Sequence, residues 1–372
     1  MAATVTHLEN THLEETPFVK TERVFLRRQM SISRQWIIDA LLWCALCASL
    51  ILGAANISVL RRYPQISLRY DRQISGQTAY NARQYAIRQG GEDTFWLTFW
   101  HETKAVFSGE YNTANAGCIL YSGDAQLVWV GIYLYGTAPG VTDSAGCAVS
   151  TALAWELWGG IDVVGKTVEV GDQTRTVRGV FEGEEALALL SVRDEDTEQS
   201  FTAVELSAGP ISPAKADVER FAMAAGLGRP DYTLMGTLNS LAEIISALPL
   251  MILVIYALAI IVGRLKKHPA AYRMILFAAL MGFAFLLPGL LDMLPGWMIP
   301  TRWSDFSFWG SLSKQIGKDL REFFMLPPKL RDVELKILLL KQAGIAFLSA
   351  SLALSICFRQ SSNERRIEQE RR

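Results

Sequence analysis

WIIDALLWCALCASLILGAANISVL, residues Trp36–Leu60, contains a single acid and no base. A helix needs about 20 apolar residues to cross a hydrocarbon core of roughly 30 Å, and this run is long enough. So are Leu241–Gly263, Met274–Leu294 and Ile337–Phe358. The spacing is uneven: one run early, three late, and a polar, globular-looking stretch at 61–239 between the first and second. One span, a large domain and then three spans is the layout of a transport or signalling protein. The segment before Trp36 is long and polar, and Asn56–Tyr63 (NISVLRRY) offers no small-residue cleavage site. The first span therefore reads as a retained anchor and not a cleaved signal peptide.

Working outward, 50% of the 372 residues are hydrophobic and 20% are charged, which suits a membrane protein with a substantial aqueous domain. The formal net charge of −1 gives no sign of nucleic acid as a partner. Orientation follows Lys and Arg in short loops. Bases flank the first span on both sides, so the loop after the second decides. It reads GRLKKHPAAYR, with Arg264, Lys266, Lys267 and Arg273 and no acid. That loop is expected in the cytoplasm, together with both termini; Arg359, Arg365, Arg366, Arg371 and Arg372 agree. The chain then divides into a cytoplasmic lead-in (1–34), a first transmembrane helix (35–60), an extracytoplasmic α+β domain (61–239), a membrane domain of three transmembrane helices (240–360) and a cytoplasmic tail (361–372). The fold class expected is an α-helical membrane protein of four transmembrane helices, 1+3.

Within the outer domain, alternating runs predict strands at Phe95–Val106, Gly117–Tyr121, Val128–Tyr135, Thr167–Val170 and Thr174–Phe181. Gly171-Asp172-Gln173 suits the turn of a hairpin. Helical spacing marks Thr78–Gln89, Ser150–Leu157 and Pro213–Ala225. Beyond the domain, Thr237–Ser246 runs without a breaker into the second span as far as Pro249. In the last outer loop Leu312, Ile316, Leu320, Phe323 and Phe324 recur at helical spacing near Trp297, Trp303 and Trp309. That helix lies either on the membrane surface or against the outer domain. Cys118 and Cys147, in the similar contexts AGCIL and AGCAV, either form a disulfide or stay as two buried thiols.

No catalytic or metal-binding constellation emerges, and no cofactor is implied; the chain is not expected to be an enzyme. The four histidines are dispersed, with no metal-ligand spacing. Asp39, Lys341 and Asp292 lie towards the ends of spans, so none suggests an ion path. Gly160–Thr167 (GIDVVGKT) matches the phosphate-loop formula, but that mechanism needs a strand before the loop and a helix after it. Here a helical pattern precedes (STALAWELW) and a hairpin pattern follows (TVEVGDQTRTVRGVF). Gly159, Gly160 and Gly165 instead shape a turn between helix and strand.

The run CAVSTALAWELWGGIDVVGKTVEVGDQTRTVRGVFE, Cys147–Glu182, resembles the extracytoplasmic domain of MacB- and FtsX-type ABC transporter permeases. In that family a helix leads into a turn of the form GG-x-D-x-VGK, followed by a hairpin ending V-x-GV. The matching positions are Gly159, Gly160, Asp162, Gly165 and Lys166, then Val177-Arg178-Gly179-Val180. The resemblance implies a MacB-like domain at 61–239 and an FtsX-like membrane domain at 240–360. It further implies a permease subunit that pairs with a separate ABC ATP-binding subunit, dimerises with itself or a paralogous permease, contacts membrane lipid and binds no nucleic acid. Such permeases usually carry an R-x-x-E-I-G-x-L-R-A-x-G stretch after the second span. Here Arg264, Lys266, Lys267 and Arg273 keep only its basic character and would form the ATPase-coupling loop. The missing E-I-G core leaves a second reading open: a non-transporting membrane protein whose outer domain binds a ligand or a cell-envelope partner.

Overall fold

The computed structural model describes residues 17–63, 66–89, 95–193, 199–207, 213, 215–265, 274, 277, 281–282, 307–327 and 329–370; for 17–35, 264–265, 330, 363–368 and 370 it describes the backbone alone. Of the residues expected to form a coupling loop, Lys266, Lys267, Arg273 and the side chain of Arg264 lie outside the described residues, as do Trp297, Trp303 and most of the Met274–Leu294 run.

Helix α1 (Pro17–Leu60) delivers the chain to strand β1 (Ile66–Ser75) and α2 (Gly76–Gln89). A long hairpin follows, β2 (Trp96–Ser108) and β3 (Thr113–Ser122), then α3 (Ala125–Val128), β4 (Tyr133–Gly136), β5 (Gly146–Ser150) and α4 (Thr151–Trp158). The hairpin β6 (Thr167–Val170) and β7 (Gln173–Phe181) precedes β8 (Leu187–Ser191), β9 (Ser200–Ser207), α5 (Lys215–Ala224) and β10 (Tyr232–Met235). The chain leaves the domain through α6 (Thr237–Leu265); α7 (Ser307–Met325) and α8 (Leu330–Glu370) complete the described elements.

Among the described residues three helical segments are long and apolar enough to cross a membrane: Trp36–Leu60, Thr237–Gly263 and Arg331–Ser362. The first has the bounds read from the sequence. The second starts four residues before Leu241, because Thr237–Ser240 continue the same helix. The last extends beyond Ile337–Phe358 at both ends. α8 packs against both α1 and α6, with Leu46, Ala353 and Ile356 at the centre of their shared core.

The domain is a mixed sheet in the order β10-β1-β9-β2-β3-β8-β5-β7-β4, with β6 paired to both β2 and β7. That double pairing closes a ring, β2–β3–β8–β5–β7–β6, back onto β2. Phe107, Cys118, Cys147, Val149, Val168, Val177 and Leu190 fill it, and Leu153, Ala154 and Leu157 of α4 close one end. The same face of the sheet, continued over β1 and β9, is covered by α2 and α5. The opposite face carries Trp100, Ile119, Tyr121, Phe181 and Ala203 beneath α3 and Trp129.

One expected strand is corrected. Val128 ends a helical turn instead of beginning a strand, because Asp124 caps α3 by accepting from the Gln126 amide at 2.9 Å. The pairing resumes only at Tyr133. The structure holds Cys118 and Cys147 as free, buried thiols. They lie on β3 and β5 with β8 between them.

Candidate functional site

The described residues contain no cluster of three or more potential metal ligands. The phosphate-loop match is a structural turn. Gly159 caps α4 in the left-handed region, φ 69°, and Gly165 is left-handed at φ 88°, conformations that suit glycine. The Gly165 amide donates to Val177 O at 2.8 Å and the Lys166 amide to Val163 O at 3.1 Å. Amides already used in this way cannot cradle a phosphate. Gly160 continues the turn, and Asp162 and Lys166 lie on it, Lys166 exposed. The described residues of the GG-x-D-x-VGK match thus gather in one turn, while Cys118 and Cys147 lie on β3 and β5 inside the strand ring.

The polar cluster that demands an explanation is elsewhere, where the sheet meets the spans. β1 follows directly from α1, and β10 leads directly into α6, so the end of the sheet beside Ile66 and Met235, which pair with each other, faces the helices. β1 also pairs with β9 and places Ser67 opposite Glu205; β9 pairs with β2 and sets Trp100 beside Ala203. Alternation then directs Ser67, Arg69, Glu205 and Trp100 to one face. The start of α8 docks onto this face.

Glu205 is fully buried. Its Oε1 accepts from Ser67 Oγ, Arg69 Nη1 and Trp100 Nε1, each at 2.8 Å, and from Arg331 Nη1. Arg69 forks onward to Asp332, with Nη2 at 2.9 Å from Oδ1. Arg69, Arg331 and Lys329 all lie over the Trp100 ring, at 4.8, 5.6 and 5.0 Å from its centre, and Lys329 also donates to Thr202 at 2.8 Å. Arg69, Arg331 and Asp332 are each at most 4% exposed. Burial alone would raise the Glu205 pKa, but Arg331 and Arg69 outweigh it and hold the carboxyl below its ordinary value. Burial, reinforced by Arg69, lowers Lys329. Glu205 Oε2 and Arg331 Nε are buried with no hydrogen-bond partner among the described residues.

Around this core, Tyr63 donates to Glu334 on α8 at 3.4 Å, Arg61 pairs with Glu243 on α6 at 2.7 Å, and Asn239 donates to Leu60 O at 3.4 Å. α7 adds a further tie. Lys215 on α5 reaches Asp319 at 3.6 Å and Glu322 at 3.8 Å, so the C-terminal half of α7 rests on the domain while Trp309, Leu320, Phe324 and Met325 stay exposed. This arrangement locks the first residues of a long helix to a folded domain.

Sequence reading misses this junction. Read from sequence alone, Trp100 is one core aromatic among several, Arg69 is a base after the first span, and Glu205, Arg331 and Asp332 carry no mark. The one available signal is an alternating strand, VEL at Val204–Leu206, with an acid between two apolar residues.

No family model and no curated protein matches this chain. Among solved structures it is similar to the periplasmic region of MacB from Actinobacillus actinomycetemcomitans, at 8% identity over 48% of this chain and 92% of that one, TM-score 0.39. It is also similar to the extracellular domain of the noncanonic ABC-type transporter YknZ from Gram-positive bacteria, at 10% identity over 46% of this chain and 97% of that one, TM-score 0.34.

Proposed function

We propose that this chain is the membrane (permease) subunit of an ABC-type transport or mechanotransmission system, moving or releasing a substrate on the outer face with energy from a separate ATP-binding subunit. The observation that carries the proposal is the attachment of α8. Its 41 residues extend about 60 Å at 1.5 Å per residue, well beyond a bilayer core. Arg331 and Asp332 fix one end in the sheet, and near the other end Arg359 pairs with Asp39 on α1 at 2.7 Å. α1 and α6 join the same edge of the domain through the backbone itself. A displacement at the cytoplasmic ends would reach the domain through these three connections. The resemblance in Cys147–Glu182 and the span layout point the same way, and Gly160–Thr167 supplies no nucleotide site of its own. Arg264, Lys266, Lys267 and Arg273 would face the ATP-binding partner, and the subunit would work as a dimer.

Purifying the tagged chain from its native membranes tests this. An ATP-binding protein should co-purify, its ATPase rate should change on reconstitution with the chain, and charge reversal at Lys267 and Arg273 should weaken the association. A chain that captures no ATP-binding protein and leaves ATPase activity unaltered contradicts the proposal.

A further inference from the structure

The strand ring has two ends. α4 closes the one at Ser150; β5 begins at the other, at Gly146. Arg175 sits at that second end, facing inward like Val177 two residues on. It is only 6% exposed. Its Nη1 donates to Ser144 O at 2.7 Å and Ser191 O at 2.6 Å, with Gly146 O at 3.5 Å, and its Nη2 donates to Gln173 Oε1 at 2.8 Å. Every one of these acceptors is neutral. No described carboxylate forms an ion pair with Arg175; the nearby Asp143 is bound instead to Arg178 at 2.7 Å.

A buried charge without a counter-charge is costly, and natural interiors pair such groups. Burial lowers the Arg175 pKa, opposed by Cys147, Cys118, Tyr121 and Asp143. A guanidinium has five donors, so among the described residues Nε–H and one Nη2–H have no acceptor. A cavity of about 330 Å³ opens at this point, lined by Ser144, Gln173, Thr174, Arg175, Val192 and Gln199, with no acid among the described lining residues. Volumes of this order hold small ligands, and barrel mouths are a recurrent place for them.

We infer that this mouth binds the oxyanion group of a small ligand, a carboxylate or a phosphate, with Arg175 as its charged floor. Two adjacent N–H donors match the oxygens of either group. The Gln173 and Gln199 amides and the Ser144 and Thr174 hydroxyls can serve hydroxyl or amide groups beside the anion. The thiols of Cys118 and Cys147 lie behind Arg175 in the ring interior, and burial pushes each up to about 12. They remain protonated and contribute no competing negative charge.

Calorimetric titration of the purified full chain with inorganic phosphate, glycerol phosphate, acetate and N-acetylglycine tests the inference. At least one probe should bind at millimolar or lower concentration; the stronger series tells phosphate from carboxylate. Arg175→Lys keeps the charge but loses the fork and should weaken binding roughly tenfold, the scale of one charge-assisted hydrogen bond. Because that variant removes bonds to backbone carbonyls and could unfold, Gln173→Ala and Gln199→Ala serve beside it; both sites lie at the rim, and each change should weaken binding several-fold. Absence of binding by the folded wild type overturns the inference, as does binding indifferent to all three substitutions. Binding that emerges only after Asp194, Glu195 and Asp196 are replaced by their amides would assign Arg175 to the chain's own acidic run, and overturns it equally.

Discussion

Glu205 shows how one residue can hold two parts of a molecule together. Its Oε1 is shared by groups from β1, β2 and α8, and a neutral amide cannot balance Arg69 and Arg331. Leaving buried cations unpaired costs on the order of 3 kcal/mol, so Glu205→Gln should lower the thermal midpoint of the purified protein by several degrees. The pH dependence has a definite sign. Because the folded state holds Glu205 below its ordinary value, the stabilisation is fully present above the unfolded carboxylate pKa of about 4.3. It is lost only as the pH falls through the lower, folded value. Melting curves should show a constant gap between wild type and Glu205→Gln at neutral pH that narrows below about pH 4. A gap unchanged in acid would show that the carboxylate charge is not what holds the junction. Arg331→Ala and Asp332→Ala should release α8 from the sheet, increasing hydrogen exchange at the α8 N-terminus while β2 and β3 stay protected.

The helices are tied by side-chain hydrogen bonds as well as apolar packing. Asn56 on α1 donates to Gln342 on α8 at 2.9 Å, Gln342 bonds Ser246 on α6 at 2.5 Å, and Ser349 bonds Ser49 at 2.9 Å. A β-carbon added at Gly53 would stand 3.4 Å from Ile345 and 3.5 Å from Gln342, so Gly53→Ala fits while Gly53→Leu must push α8 away. Such interhelical bonds are worth roughly 0.6 to 1.7 kcal/mol in lipid. Gln342→Ala should therefore destabilise the folded bundle by about 1 kcal/mol in a steric-trapping measurement, and Gly53→Leu by more. Element type is legible where one force dominates: the spans from sustained hydrophobicity, β6–β7 from alternation around Gly171, and α4 from helical spacing over Ser150–Leu157. β5 (GCAVS) and β8 (LALLS) escape because every residue in both is buried, and a short, wholly apolar run has no period to read. β1 escapes because Arg69, Asp71 and Arg72 read as solvated charge, although Arg69 is buried against partners far away in sequence.

At the scale of the whole molecule, the order of segments reveals the layout of span, domain and spans, but not the contacts that make it one body. Arg69 and Asp332 are 263 positions apart, and nothing local to either foretells their pairing. The ring that places Arg175 beside its cavity depends likewise on β6 bonding to both β2 and β7. The account as a whole requires α8 to begin outside the cell, held to the domain, and to end in the cytoplasm. Its most direct test is labelling of intact cells with a membrane-impermeant maleimide, using Asp172→Cys in the exposed β6–β7 turn and Gln369→Cys at the exposed end of α8. The prediction is that Asp172→Cys reacts at once and Gln369→Cys only after permeabilisation. Reaction at Gln369→Cys with Asp172→Cys protected, or equal reaction at both in intact cells, would contradict it.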